Sequence, residues 1–275
     1  MPDSNSLKKT PSLDNWIAIN DDGRILVRTG KVDIGQRIST ALALIVSEEL
    51  DVDIDNMDIS RTETGVDPDE GITSGSNSME ESGNAVRAAA ATARQHLIAL
   101  AAEALEVEIT TLFVSNGLVR SRKTNNSITY AELAAKKPFH IDVDPNAITK
   151  HPNSYKVIGN PVVFRGLKDI VNGEPYFIQD MKIAGMLHAR VVRPPHYHAR
   201  LNSINPKIVK SLEKKGCNLV QDGSFLAVVN ADEYMAVKSA KRLYETSTWN
   251  QGSGLEPQDI YERLITNERV SLPVV

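Results

Sequence analysis

The chain of 275 residues contains a single cysteine, Cys217. One thiol closes no internal disulfide and cannot supply the four thiolates of an iron–sulfur cluster. Cys217 stands just before an expected strand, which favours a buried structural thiol over a nucleophile. No apolar run reaches the roughly 18 to 20 residues of a membrane span. Basic residues are not in excess, and the net charge of −4 argues against nucleic acid as a partner. Neither the dinucleotide-binding glycine fingerprint nor the P-loop is present, and there is no G-x-S-x-G of a serine hydrolase. The segment Met1 to Asp14 is polar, with no apolar core and no twin-arginine pair. It predicts no secretory signal and hence a cytoplasmic location, with the periplasm as the alternative.

What is present is the composition of a soluble globular protein, 41% apolar and 24% charged, in a chain long enough for two domains. Between Glu48 and Glu70 stand ten acidic residues and one base, Arg61. Such a run, scattered over a helix end, a strand and a loop, reads as a solvated surface rather than a metal site. His196 and His198 form an H-x-H without a third ligand nearby, and read as loop residues beside Pro194 and Pro195.

The chain is organised around the stretch from Gly30 to Val86. An expected strand, Arg24 to Gly30, runs into a turn at Gly35-Gln36, and Ile38, Leu42, Ile45 and Val46 then recur at the spacing of one helical face. A glycine- and serine-rich loop from Gly71 to Ser78 precedes a longer helix, expected from Met79 to about Glu106. Ser78 and Glu81 have the spacing of a capping box. Two small-residue loops, each opening a helix, would leave backbone N–H groups free and suit an anionic ligand. The same residues also read as ordinary turn and cap chemistry, and Glu80 and Glu81 would repel an approaching phosphate.

Around this stretch the pattern predicts a hairpin (16–19 with 24–28), a short strand (57–61), a second hairpin (113–120) and a strand leading into a helix (128–136). Pro138, Pro145 and Pro152 mark 137–154 as a linker. Beyond it, strands are expected at 176–181, 185–193, 201–204, 219–221, 225–229 and 246–249, with helices at 208–215 and 232–244. The fold class is α+β, in two lobes.

Several of these stretches carry a resemblance. Gly30-Lys31-Val32-Asp33-Ile34-Gly35-Gln36, Ser-Glu-Glu-Leu-Asp-Val-Asp at 47–53, Pro68-Asp69-Glu70-Gly71 and the Ser76/Ser78 loop resemble the molybdopterin-binding large subunit of the xanthine dehydrogenase/aldehyde oxidase family. The branch is the isoquinoline 1-oxidoreductase and nicotinate dehydrogenase type. Gly185-Met186-Leu187-His188-Ala189-Arg190, Arg193-Pro194-Pro195 and 222–229 resemble the small a/b hammerhead domain of the same family. Arg37 stands where the family usually has glycine, and Leu167 where it tends to have aspartate.

The resemblance implies a flexible lead (1–13), a partial molybdopterin-binding domain (14–136), the linker (137–154), an a/b hammerhead domain (155–250) and a tail (251–275). It implies that Gly35, Gln36, Ser76 and Ser78 contact molybdopterin. It further implies hydroxylation of an aldehyde or N-heterocycle, with the glutamate base of the family falling beyond residue 275. No catalytic residue is then expected in this chain, which should be inactive alone. Its expected partners are a second molybdopterin-binding chain or a carboxy-terminal half, and an iron–sulfur subunit that carries the clusters. The alternative is a non-catalytic binding or assembly protein derived from that family.

Overall fold

The computed structural model describes residues 4–136, 139–252 and 259–267. The chain divides into two compact units, Met1–Gln179 and Asp180–Val275. The described elements are short strands in four small sheets, with helices against them, an α+β arrangement.

The first unit opens with a short helix, α1 (Asn5–Lys9), and the expected hairpin, β1 (Ile17–Ile19) and β2 (Ile25–Val27), paired antiparallel. The chain then passes through the first glycine loop into α2 (Ile38–Leu50) and returns as β3 (Met57–Ile59), parallel to β2. Ile38, Leu42, Ile45 and Val46, the face marked by periodicity, are all buried. A π-helical turn, Met79–Gly83, leads into α3 (Asn84–Leu105), which packs on α2. Its buried alanines, among them Ala85, Ala88 and Ala89, let the two helices lie close. A second sheet follows, β4 (Leu112–Ser115), β5 (Leu118–Ser121) and β6 (Ser127–Thr129), and β6 runs straight into α4 (Tyr130–Lys136). A last short helix, α5 (Leu167–Val171), lies near the end of this unit.

The proline-marked segment does not behave as a spacer over its described residues. Phe139, Val143 and Ala147 are buried, Ile141 accepts from the Leu13 amide, and the Val143 amide donates to Pro11. Farther on, the Arg165 amide donates to Thr40 Oγ1 at the start of α2. The stretch has only one 3-10 turn, Pro152–Ser154, among its described residues, yet reaches the core, and the division between units falls at Gln179, beyond it.

Two carboxylates anchor that segment. Glu48 Oε2 accepts the amides of Lys156, Val157 and Ile158 at 2.9, 2.7 and 3.0 Å. Glu49 accepts the Lys150 amide on both oxygens, and meets Arg87 and Arg94 at 3.2 and 3.4 Å. Both are 1% exposed, so the acidic run is not a solvated surface where it begins. Burial opposes ionisation of Glu48, but three backbone N–H groups and Lys150 outweigh it and hold its carboxyl below the ordinary range.

The second unit has a three-stranded antiparallel sheet of β7 (His188–Val191), β9 (Asn218–Asp222) and, between them, β10 (Phe225–Asn230), and a two-stranded ribbon of β8 (Leu201–Ser203) and β11 (Thr248–Trp249). After β8 come α6 (Pro206–Glu213), β9 (Asn218–Asp222), β10 (Phe225–Asn230), α7 (Glu233–Thr246), β11 (Thr248–Trp249) and α8 (Asp259–Thr266). Asn205 caps α6 through the Lys207 amide, with Pro206 at the first helical position, and Asp232 caps α7 through Met235. Val192, Leu212, Leu226, Val228 and Leu243 form the core with Cys217, whose sulfur lies 3.3 Å from Ser239 Oγ and from Asn230 Nδ2. It is the buried structural thiol expected. The strand expected at 176–181 is instead a 3-10 turn, Ile178–Asp180, whose Ile178 is exposed and pairs with no strand among the described residues. His196 and His198 lie in an exposed turn, and no metal-binding cluster occurs among the described residues. No described helix is long and apolar enough to cross a membrane.

Candidate functional site

The two loops named by the sequence lie against one another. The Val32 amide donates to Thr73 Oγ1 at 3.0 Å, and Lys31 Nζ donates to the carbonyls of Glu70 and Ile72 at 2.6 and 3.1 Å. Glu70 Oε2 accepts from the Thr29 hydroxyl and the Gly30 amide, and the Thr62 hydroxyl donates to the carbonyls of Thr29 and Lys31. At Gly30 the approach is closest: a Cβ there would lie 2.1 Å from the Pro68 carbonyl oxygen, so only glycine fits.

Gly35 has φ 107°, a conformation that L side chains rarely adopt, and nothing lies within 4 Å of where its Cβ would be. Its need for glycine is therefore conformational, and the space beside it is open. The amides of Gly35 and Arg37 are not free, contrary to the expectation from the loop pattern: both donate to Asp33 Oδ1 at 3.1 Å, and the Ser39 hydroxyl donates to Oδ2. A carboxylate of the chain itself thus takes the place at the start of α2 where an anion would sit. Gln36 is exposed but folded back. Its Oε1 accepts from the Ile34 amide at 2.7 Å and its Nε2 donates to the Val32 carbonyl at 2.9 Å. Arg37 adopts φ 64° and lays its guanidinium 3.7 Å over the Phe164 ring. Its left-handed backbone accounts for glycine being the easier residue at that position.

In the second loop, Ser76 is exposed with φ 58°. Ser78 is already in the right-handed helical region and its side chain caps nothing, because the helical turn starts one residue earlier, with Glu81 N–H donating to the Asn77 carbonyl. The capping box is therefore not formed. Among the described residues no hydrogen bond joins Gln36 to Ser78, and neither serine hydroxyl has a partner. They are the free donors of the site, near Gly71 and Gly75 with φ of 65° each, of which Gly71 has open space beside it and Gly75 faces the Asn77 side chain. The rim is apolar, with Ile34 and Ile72 69% and 81% exposed. This donor set fits a polar, flat-edged ligand once Gln36 turns outward.

Sequence reasoning missed Lys31, Glu70 and Asp33, which carry the loop geometry, and assigned Glu70 to the surface. The roles of Lys31 and Glu70 depend on the approach of loops some forty residues apart, which no local pattern encodes, whereas Asp33 bonds Gly35, Arg37 and Ser39 within its own turn. A cleft of about 250 Å³ at the other end of α2 is lined by Glu48, Asp51, Asp53, Asn116 and Lys156 and contains none of the expected site residues. Its acids are already engaged: Lys150 lies 2.7 Å from Asp51, and Lys156 lies 3.7 Å from the same oxygen.

Residues 4–162 match the model of a molybdopterin cofactor-binding domain. The chain is 30% identical to a subunit of the nicotinate dehydrogenase of Pseudomonas putida, over 94% of its own length and 22% of that protein's. It is 25% identical to the beta subunit of isoquinoline 1-oxidoreductase of Brevundimonas diminuta, over 66% of its length and 28% of the relative's. Among solved structures, a Cu,Mo-CO dehydrogenase aligns over 46% of the chain and 17% of its own, with a TM-score of 0.40 and 26% identity. The chain thus spans about a quarter of the two curated relatives.

Proposed function

Because the chain belongs to the molybdopterin cofactor-binding domain family, we propose that it forms the amino-terminal part of a molybdenum hydroxylase large subunit. The observation that supports this reading is the pairing of the two loops through Val32–Thr73 and Lys31–Ile72; one loop carries the exposed Gln36 and the other two unpartnered serine hydroxyls. Gln36, Ser76 and Ser78 would hold molybdopterin, with Gly35 leaving room beside it; the bound molybdenum would supply the hydroxylation chemistry. On this reading Gln36 exchanges its two bonds inside the loop for bonds to the cofactor, and Ile34 and Ile72 exclude water at its edge. The remaining cofactor contacts and the base come from a second molybdopterin-binding chain or a carboxy-terminal half, and the iron–sulfur clusters from a further subunit. The substrate is an aldehyde or N-heterocycle, the second unit an a/b hammerhead domain, and the location cytoplasmic. The isolated chain is inactive.

A second reading, a non-catalytic assembly protein, is favoured by Asp33 and Gln36, which saturate the first loop from within. Pterin content of the complex purified from its native cell separates the two. Ser78→Ala and Gln36→Ala are expected to lower it several-fold at an unchanged thermal midpoint, since Ser78 caps no helix. Equal pterin in parent and variants, or none in either, supports the assembly reading.

A further inference from the structure

Lys31 is 6% exposed, and a lysine so buried ordinarily faces a carboxylate. Here both of its acceptors are main-chain carbonyls of the second loop, Glu70 at 2.6 Å and Ile72 at 3.1 Å. Glu70 makes the converse contacts: its side chain accepts the Gly30 amide at 2.8 Å and the Thr29 hydroxyl at 2.6 Å. Each loop is therefore gripped at its backbone by a side chain of the other. Thr29 relays the grip, since its hydroxyl also accepts the Lys31 amide at 3.1 Å. Thr62 closes it from below through the carbonyls of Thr29 and Lys31. An ammonium has three donors, and two are used. Glu70 Oε1 is buried and has no hydrogen-bond partner among the described residues. A purely structural clamp has no need of this remainder; apolar packing would hold two loops at lower desolvation cost.

We infer that Lys31 and Glu70 are positioning residues that set the spacing and register of the two cofactor loops. This rests on the reading that those loops hold molybdopterin. The pair touches main chain rather than the ligand face. Its effect on the cofactor passes through Ile72, Thr73 and the serines that follow, and through Gly30 and Val32 toward Gln36. Lysine at this position gives reach and two donors, and glutamate gives an acceptor that the neighbouring Thr29 can share.

The test is amide hydrogen exchange on the full chain together with the pterin content of its native complex. Lys31→Met is expected to speed exchange at least tenfold across 70–78 while 95–105 and the second unit stay as in the parent. Glu70→Gln, which changes shape little, is expected to speed exchange at Gly30 and Val32. Both variants should carry at least fivefold less pterin per chain under conditions where exchange over 95–105 stays as in the parent. Unchanged exchange in both loops overturns the clamp. Faster exchange with parental pterin content overturns its role toward the cofactor. A parent complex without pterin overturns the loop reading itself, and exchange alone then decides the clamp. Should Lys31→Met fail to fold, Glu70→Gln decides by the same criteria.

Discussion

At the carboxyl end of α2, Glu48 and Glu49 are sealed from water and every neighbour they meet is a cation or a backbone N–H. At its amino end, Asp33, Gln36 and Arg37 lie in or near solvent, bonded to groups of their own turn. Both ends place carboxylates beside amides, with opposite consequences. At the buried end an acceptor removed leaves donors stranded in a low-dielectric interior, so the arrangement is costly to disturb. At the exposed end water replaces any bond that breaks, so the groups can exchange partners at little cost. A helix anchored at one end and exchangeable at the other suits a ligand loop, which must stay in place while its side chains move.

The contrast breaks most directly at Glu48. Replacing it with alanine leaves three amides without their acceptor and removes a charge near Lys150, and is expected to destabilise the chain by about 3–5 kcal/mol in urea unfolding. A loss below about 1 kcal/mol would mean that residues 150–158 do not depend on it. The pH dependence follows from the lowered carboxyl. Its folded value lies below the ordinary 4.5, so this stability is fully present above that pH and is lost as the pH falls through the folded value. Asp58 adds in the same direction, held low chiefly by its hydrogen bonds from Arg24. Glu48→Gln should therefore start less stable at neutral pH and show a flatter acid limb than the parent.

Gly30→Ala sharpens the comparison at the junction of the two loops. The added methyl meets the Pro68 carbonyl, and a main-chain oxygen has little room to give. A loss of about 1–3 kcal/mol is expected. Parental stability in thermal and urea unfolding would mean that the loops separate freely, and with them the idea of a fixed two-loop face.

Arg37→Gly should have the smallest effect. Removing a side chain from a left-handed backbone recovers about 1 kcal/mol, while losing the stack on Phe164 costs about 0.5–1 kcal/mol. The two nearly cancel. A double-mutant cycle with Phe164→Ala isolates the second contribution, and a coupling of zero would leave the φ of 64° at Arg37 without compensation. The same substitution should raise pterin retention, because the backbone at the first loop could then approach a ligand more closely.

Helical periodicity marked the faces of α2 and α3, and turn residues marked the hairpins β1–β2 and β4–β5, because those signals are repeats within a few residues. The caps Asn205 and Asp232 are equally local, but neither was marked as a cap from the sequence, and α6 starts at Pro206 rather than at 208. The Ser78 capping box had the right residues at the right spacing, yet the helix begins a residue earlier and the hydroxyl is left free. Glu48, Glu49 and Glu70, in the acidic run, read as surface charges, and Lys31 had no assigned role, since nothing near them in sequence could neutralise them. Their partners lie some 40 to 110 residues away, at 29–30, 70–72, 87–94 and 150–158. What the sequence determined by itself was therefore most of the longer helices and hairpins, and the family. The tertiary structure decided which charges were buried, which loops met and which donors remained free, because desolvation is settled only when distant segments close over a group.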